Sequence, residues 1–382
     1  MQSGIIYLDN NSTTPLDPRV LEAMMPYFTD FYGNASSAHL LGKRSKIAVE
    51  NAREAVGDLI NSNPEDIIFT AGATESINLA IRGVVKSSSF KVPHVITVKT
   101  EHPAVLDTCK DLESIGVEIT YLDVEYDGLV NLSLLKESIR DNTILVCVML
   151  VNNETGVIQQ VKQIAEIAHE AGALFLSDAT QAVGKIAIDV LDDEIDLLAF
   201  SAHKFYGPKG IGGLYVNSRL RLKPLIFGGG HERGLRSGTL NVPAIVGMGV
   251  AAKLASEEMD KDEERISALA TLLKKELMNV DGVVANGSAI HRQYNTLNLC
   301  FKGVDNQDML LRLDKICASN GSACHAMLIE PSHVLLAMGL TREQANSSLR
   351  FSLGRFNTEQ EIETAIVTIK EVAASLKQAE IV

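Results

Sequence analysis

Paired cysteines, long apolar runs, an excess of positive charge and the glycine signature of a nucleotide site are all missing where this chain would need them. Its five cysteines, Cys109, Cys147, Cys300, Cys317 and Cys324, are odd in number and scattered, with no C-x-x-C pair. That leaves no disulfide framework and no zinc or redox dithiol site, and a reducing cytoplasm is the expected compartment. The longest apolar stretches, such as 144–151, are too short to span a bilayer. Met1-Gln2-Ser3-Gly4 carries no basic region followed by an apolar one, so no targeting or anchoring segment is expected. Acidic residues exceed basic ones to a formal net charge of -13; a phosphate backbone would be repelled, which argues against nucleic acid as a partner.

What is present is enough chain for more than one hydrophobic core: 382 residues, where single cores stop growing somewhat earlier. From Asp66 onward, short apolar runs alternate with stretches of helical length and spacing. The runs are 67–70, 94–100, 117–124, 144–151, 173–177 and 197–201. Runs apolar throughout, without polar alternation, are those of strands buried on both faces, so an α/β domain with a mostly parallel sheet is expected. A strongly charged helical segment, 251–277, then separates this region from a smaller α+β part containing 296–301, 349–353 and a last helix from Thr358, where Thr358 and Glu361 have capping-box spacing.

Several strand ends carry residues able to do chemistry. Phe200-Ser201-Ala202-His203-Lys204 closes one apolar strand, and ligands of parallel α/β folds sit at the carboxyl ends of strands. A lysine there, desolvated, can form a Schiff base with an aldehyde cofactor, although a lone lysine at a strand end is more often a surface residue. Leu174-Phe175-Leu176-Ser177 ends in Asp178, the carboxylate a pyridinium nitrogen requires, or else a helix cap. Thr70-Ala71-Gly72-Ala73-Thr74-Glu75-Ser76 reads as a strand, a small-residue turn and a helix start that would cradle a phosphate. It lacks G-x-G-x-x-G and G-x-x-x-x-G-K-[ST], which argues against dinucleotides and nucleoside triphosphates. His102 follows the strand 94–100, and Asn153 closes another, where a simple turn is the alternative. Cys317 to Met327 is small and polar up to Cys324, the composition of a loop that exposes a thiol; Cys324 is the candidate nucleophile and Cys317 the second.

Taken in order, these segments resemble the cysteine desulfurases of the NifS/IscS class. The resemblance runs from Tyr7-Leu8-Asp9-Asn10-Asn11 through Gly72-Ala73-Thr74-Glu75-Ser76, Glu101-His102-Pro103, Asn152-Asn153-Glu154, Asp178-Ala179-Thr180-Gln181 and Ser201-Ala202-His203-Lys204. It continues to Arg236-Ser237-Gly238-Thr239-Leu240, Gly321-Ser322-Ala323-Cys324 and Leu349-Arg350-Phe351-Ser352. It implies a fold-type I pyridoxal 5'-phosphate transferase working as a homodimer, with a large cofactor domain over 14–255 and a small domain from 1–13 and 256–382 that carries the cysteine loop.

The resemblance also implies roles. Lys204 is the Schiff-base lysine, Asp178 the pyridinium partner and His102 the ring-stacking acid/base; Asn153 and Gln181 lie near the phenolic oxygen. Ala73, Thr74, Ser201 and His203 bind the phosphate, joined by Thr239 from the neighbouring subunit. Arg350 grips the substrate carboxylate in a bidentate fork, with Arg355 close enough in sequence to compete, and Asn34 lies near the substrate. Cys324 takes the sulfur of L-cysteine as a persulfide for an acceptor protein such as an iron-sulfur scaffold, which ties the chain to iron-sulfur cluster assembly. The family's iron-sulfur and metal-binding associations come without an assigned metal ligand in this chain. Two departures stand out: Gly33-Asn34-Ala35-Ser36-Ser37 has Ala where many relatives have Pro, and His325-Ala326-Met327-Leu328 replaces the usual small hydroxyl-rich residues. The rival readings are a selenocysteine lyase or aminotransferase of the same fold, and a sulfur-relay or assembly protein without catalysis.

Overall fold

The computed structural model describes residues 4–321 and 330–379. Its strands are β1 (Ile6–Tyr7), β2 (Ile67–Thr70), β3 (His94–Val98), β4 (Glu118–Leu122), β5 (Thr143–Cys147), β6 (Leu174–Asp178), β7 (Leu197–Ser201), β8 (Gly212–Val216), β9 (Val283–Ala285), β10 (Thr296–Phe301), β11 (Ile316–Cys317) and β12 (Ser348–Ser352). Seven of them form the main sheet in the order β2-β8-β7-β6-β5-β3-β4. The pairs from β7 through β4 are parallel, while β8 is antiparallel to both β7 and β2. Only β8 therefore runs against the rest, and the carboxyl ends of the other six share one edge.

Strand periodicity sorts the apolar residues into two layers. Phe69, Ile96, Val146, Phe175 and Leu198 face the helices Leu40–Leu59 and Val161–Glu170. Their neighbours Ile68, Val95, Leu145, Leu176 and Leu197 face Ala73–Ser87 and Pro103–Glu113. Burial on both faces explains why these strands read as continuous apolar runs. The expected stretches 94–100 and 144–151 overrun their strands, which stop at Val98 and Cys147; the remainder are the loops that carry the site.

The antiparallel β8 was not among the expected strands. Its two leading glycines have packing reasons: a Cβ on Gly212 would stand 2.6 Å from Gly72 Cα, and one on Gly213 would enter the Phe200 ring.

The second core is built on the antiparallel sheet β12-β10-β9 and on β1 paired with β11. It buries Leu297, Leu299, Phe301, Leu349 and Phe351 against the last helix, Glu359–Ala379, through Ile362, Ile366 and Ile369. The capping box expected at Thr358 and Glu361 is formed in both directions. The charged segment 251–277 is part of one longer helix, Val242–Met278. Ala244 to Ala255 enter the first core and Ile266 to Leu277 the second, with the charged turns solvated between. No helix among the described residues is long and apolar enough to cross a membrane.

Candidate active site

Five strand ends open into one cavity of about 1070 Å³. β2 leads to Gly72, β3 to His102, β5 to Asn153, β6 ends on Asp178 and β7 on Ser201, followed by the short 3-10 turn Ala202–Lys204. Ala73, Thr74, His102, Asn153, Asp178, Gln181, Ser201, His203, Lys204 and Arg350 all line it.

One pole suits an anion. The 15-residue helix Ala73–Ser87 starts there with Gly72 at its N-cap, which supplies no side chain to occupy the first amides. Free amides and the helix dipole favour negative charge. Ser201 and Thr74 border this turn, and His203 Nδ1 lies 3.1 Å from Thr13 Oγ1. The His203 ring is pushed down to about 4 by burial and then by the cations of Lys204, Lys209 and Lys185, so it is neutral at pH 7.

Beside β7 stands Asp178, buried at the end of β6, with Oδ1 accepting the Thr180 amide at 2.9 Å. The local cap and the cavity position thus coexist, since a carboxylate has a second oxygen. His102 caps Pro103–Glu113 by accepting the Ala104 amide at Nδ1, 3.1 Å. In the neutral ring the proton is then on Nε2. Burial is the main cause holding the His102 ring below its usual range, with Asp178 opposing and Lys204 assisting. In the turn after β7, Lys204 Nζ donates to the carbonyls of Asn11 at 2.5 Å and Ser12 at 2.8 Å.

Two ambiguities of the sequence resolve by position. Asn152 is the turn former, its Oδ1 accepting the amides of Glu154 and Thr155, while Asn153 lines the cavity. Arg350, only 4% exposed, also lines it: its Nη2 bonds Asp9 Oδ1 at 2.7 Å and Ser12 Oγ at 2.8 Å, its Nη1 bonds the Asn153 carbonyl, and its buried Nε has no hydrogen-bond partner among the described residues. Arg355 is engaged elsewhere, stacked 4.5 Å over the Tyr206 ring and paired with Asp262 and Asp17.

The single chain does not bring every expected residue together. Thr239 and Asn34 are exposed and lie outside the cavity lining, Asn34 being turned onto the Ser36 amide. Cys324 falls outside the described residues. Cys317, read as part of a small-residue loop, is instead on β11, in register with Tyr7, because its neighbour Ile316 is drawn into the second core. Its thiol is pushed up by burial and by Asp9, the opposite of activation.

Sequence reasoning passed over four polar residues. Glu101 is fully buried, with Oε1 on the Met149 amide and Oε2 without a partner among the described residues; burial and then Asp178 push its carboxyl well up, which favours the neutral acid. Glu154, raised by burial, meets Ser332 Oγ at 2.5 Å. His333 Nε2 lies 2.9 Å from the Glu101 carbonyl. Lys185 is buried and donates to Gln181 Oε1 at 2.8 Å. The two glutamates were signalled by their places beside His102 and Asn153. Among the described residues no cluster of His, Cys, Asp and Glu is arranged to hold a metal.

Known proteins resemble this chain over nearly its full length. The family model described as aminotransferase class-V matches residues 6–364. The cysteine desulfurase IscS of Methylobacillus flagellatus is 48% identical over 377 residues, covering 98% of this chain and 93% of that protein. The IscS of Rickettsia africae is 49% identical over 365 residues, covering 94% and 89%. Among solved structures, a NifS-like protein superposes with a TM-score of 0.92 at 37% identity, covering 97% of this chain and 100% of that one. A structure of SspA in complex with cysteine gives 0.82 at 38% identity, covering 92% and 100%.

Proposed function

The chain belongs to the aminotransferase class-V family and, within it, to the cysteine desulfurases of the NifS/IscS class, and from that premise we propose how its residues share the work. The enzyme removes sulfur from L-cysteine. The observation that carries the division of roles is the succession of strand ends that open into one cavity: an open helix N-terminus after β2, Ser201 to Lys204 after β7, then Asp178 at the end of the adjacent β6.

That order fits pyridoxal 5'-phosphate. Ala73, Thr74, Ser201 and His203 would hold the phosphate, and Thr239, exposed on this chain, is read as contributed to the partner subunit of a homodimer. Thr180 Oγ1 and the second oxygen of Asp178, which have no hydrogen-bond partner among the described residues, fit a polar group at the ring-nitrogen end. When bound, the cofactor supplies an electron sink conjugated to the substrate α-carbon.

The protein's own groups do the rest. Lys204 anchors the cofactor and afterwards carries the α-proton, its two backbone carbonyl partners holding the amine beside the cavity. His102, neutral with its proton on Nε2, stacks and moves protons. Arg350 binds the substrate carboxylate, the orphaned Nε being the donor that such a ligand would satisfy. The Cys324 thiolate attacks the substrate sulfur: the S–S bond forms as the Cβ–S bond breaks, and proton return to the carbon gives L-alanine. The persulfide passes to an acceptor, which we take to be a scaffold for iron-sulfur assembly. The helix Val242–Met278 crosses from one core to the other near residue 255, which we adopt as the boundary between a large domain (14–255) and a small one (1–13 and 256–382).

The test is product accounting. Protein supplied with pyridoxal phosphate and a dithiol should release alanine and sulfide from L-cysteine in equal amounts. Transfer of the amino group to a 2-oxo acid in place of alanine release would favour an aminotransferase, and absence of either product would overturn the reading.

A further inference from the structure

Lys185 is 4% exposed, yet it does not line the cavity. It sits directly behind it. Gly184 takes a left-handed turn, φ +74°, and a Cβ there would lie 2.7 Å from Phe205 Cβ, so the turn presses against the residue following Lys204. From this seat Lys185 Nζ donates to Gln181 Oε1 at 2.8 Å. The other end of the same amide, Gln181 Nε2, donates to the Asn11 carbonyl at 2.8 Å, and that carbonyl also accepts from Lys204 Nζ at 2.5 Å.

An amide side chain can be turned either way round, and here both of its neighbours dictate the same choice. An ammonium only donates, so it requires the amide oxygen; a carbonyl only accepts, so it requires the amide nitrogen. Gln181 is left with one N–H available to the cavity that it lines. We propose that Lys185 is a positioning residue, which locks the Gln181 amide so that this N–H meets an acceptor oxygen of the bound cofactor. The proposal rests on the pyridoxal-phosphate reading above and adds to it the residue that orients the contact.

The electrostatic surroundings agree. Burial pushes the Lys185 amine down to about 7, and the cations of Lys204 and Arg350 push it the same way; Lys185 in turn lowers the His203 imidazole. Lys204, Arg350 and His203 are thus the groups that feel its charge, and the first of these is the amine that meets the cofactor.

The experiment uses the full-length protein stripped of cofactor and titrated with pyridoxal phosphate. Lys185→Met keeps length and burial but removes the donor. Its affinity for the cofactor should fall about tenfold, the loss of one oriented hydrogen bond. The pH at which the bound cofactor changes its visible absorbance should rise, because a cation opposing protonation nearby has gone. The thermal midpoint of the cofactor-free protein should not fall, and Lys185→Gln, which still offers an amide donor, should restore most of the affinity. In a Gln181→Met background, Lys185→Met should cost no further affinity, since the effect is carried by the amide. Wild-type affinity and absorbance in Lys185→Met, additive losses in the double variant, or a fallen midpoint with unchanged affinity would each overturn the proposal. A wild-type protein that takes up no pyridoxal phosphate would instead overturn the reading on which it stands.

Discussion

Arg350 Nη2 lies 2.7 Å from Asp9 Oδ1, across a gap of more than three hundred residues in sequence. The pair joins β12 of the second core to the N-terminal segment whose next carbonyls, at Asn11 and Ser12, hold Lys204. The arginine assigned to the substrate and the lysine assigned to the cofactor are therefore fixed by one short stretch of chain.

Arg350→Lys should raise KM for L-cysteine by about 10- to 100-fold, because an ammonium cannot reproduce the guanidinium fork and a charged hydrogen bond contributes about 1.5–3 kcal/mol. Arg355→Ala should do the reverse, leaving KM near its normal value while destabilising the fold by about 3 kcal/mol through the loss of a partly buried ion cluster. Steady-state kinetics and urea unfolding of both variants separate the two arginines. Equal KM effects would refute the assignment.

Lys204→Ala should abolish turnover with a urea midpoint close to that of the parent, since the side chain reaches backbone carbonyls and not the apolar core. Cofactor retained without covalent attachment, seen as a loss of the lysine-linked visible band, is the accompanying signature. Turnover in a folded Lys204→Ala protein would be decisive against its role.

Cys324→Ala should stop alanine release in the presence of reductant and leave no added sulfur on the peptide that contains it by mass spectrometry. Cys317→Ala should keep both, because a β11 thiol raised by burial is a poor nucleophile. Exchange of the two outcomes would move the nucleophile without changing the enzyme class.

Acid should destabilise the protein between pH 6.5 and 4. His94 is buried between Thr143 Oγ1 and Thr120 Oγ1, each at 2.8 Å, and burial pushes its ring down to about 4. Below its unfolded value near 6.5 the unfolded chain binds a proton that the folded ring refuses, so stability is complete above 6.5 and is lost as pH falls toward 4. His203 adds to the same window. Urea midpoints from pH 7 to 4.5 should fall along this limb, and His94→Gln should flatten it by its own share; an unchanged slope would count against the buried neutral ring.

The main sheet was legible because both of its faces are covered, so β2, β5, β6 and β7 appear as unbroken apolar runs whose ends name the site. β8 was not, since its first two positions must be glycine to let Gly72 and the Phe200 ring approach, and glycine pairs read as turns. The long helix Val242–Met278 was only half visible: small residues such as Ala244, Gly247 and Ala251 pack closely there and give no strong amphipathic stripe. Lys204, Asp178 and His102 were found as polar residues ending apolar strands. Lys185 and Glu101 escaped because burial of a charged type is a tertiary fact, invisible until Phe205 is brought against Gly184 and Met149 against Glu101.

β1 has a consequence in the order of synthesis. Ile6 and Tyr7 pair with Ile316 and Cys317, Asp9 bridges Ser352, and Ile6 and Leu8 are buried among residues of the second core. The ribosome makes these residues well before their partners, so until β11 and β12 emerge β1 has no strand to pair with. A nascent chain that has formed its seven-stranded sheet can already seat Asn11 on Gln181 and Thr14 on His203 beside Lys204, while the strand leading into that segment is pinned only when β11 and β12 emerge.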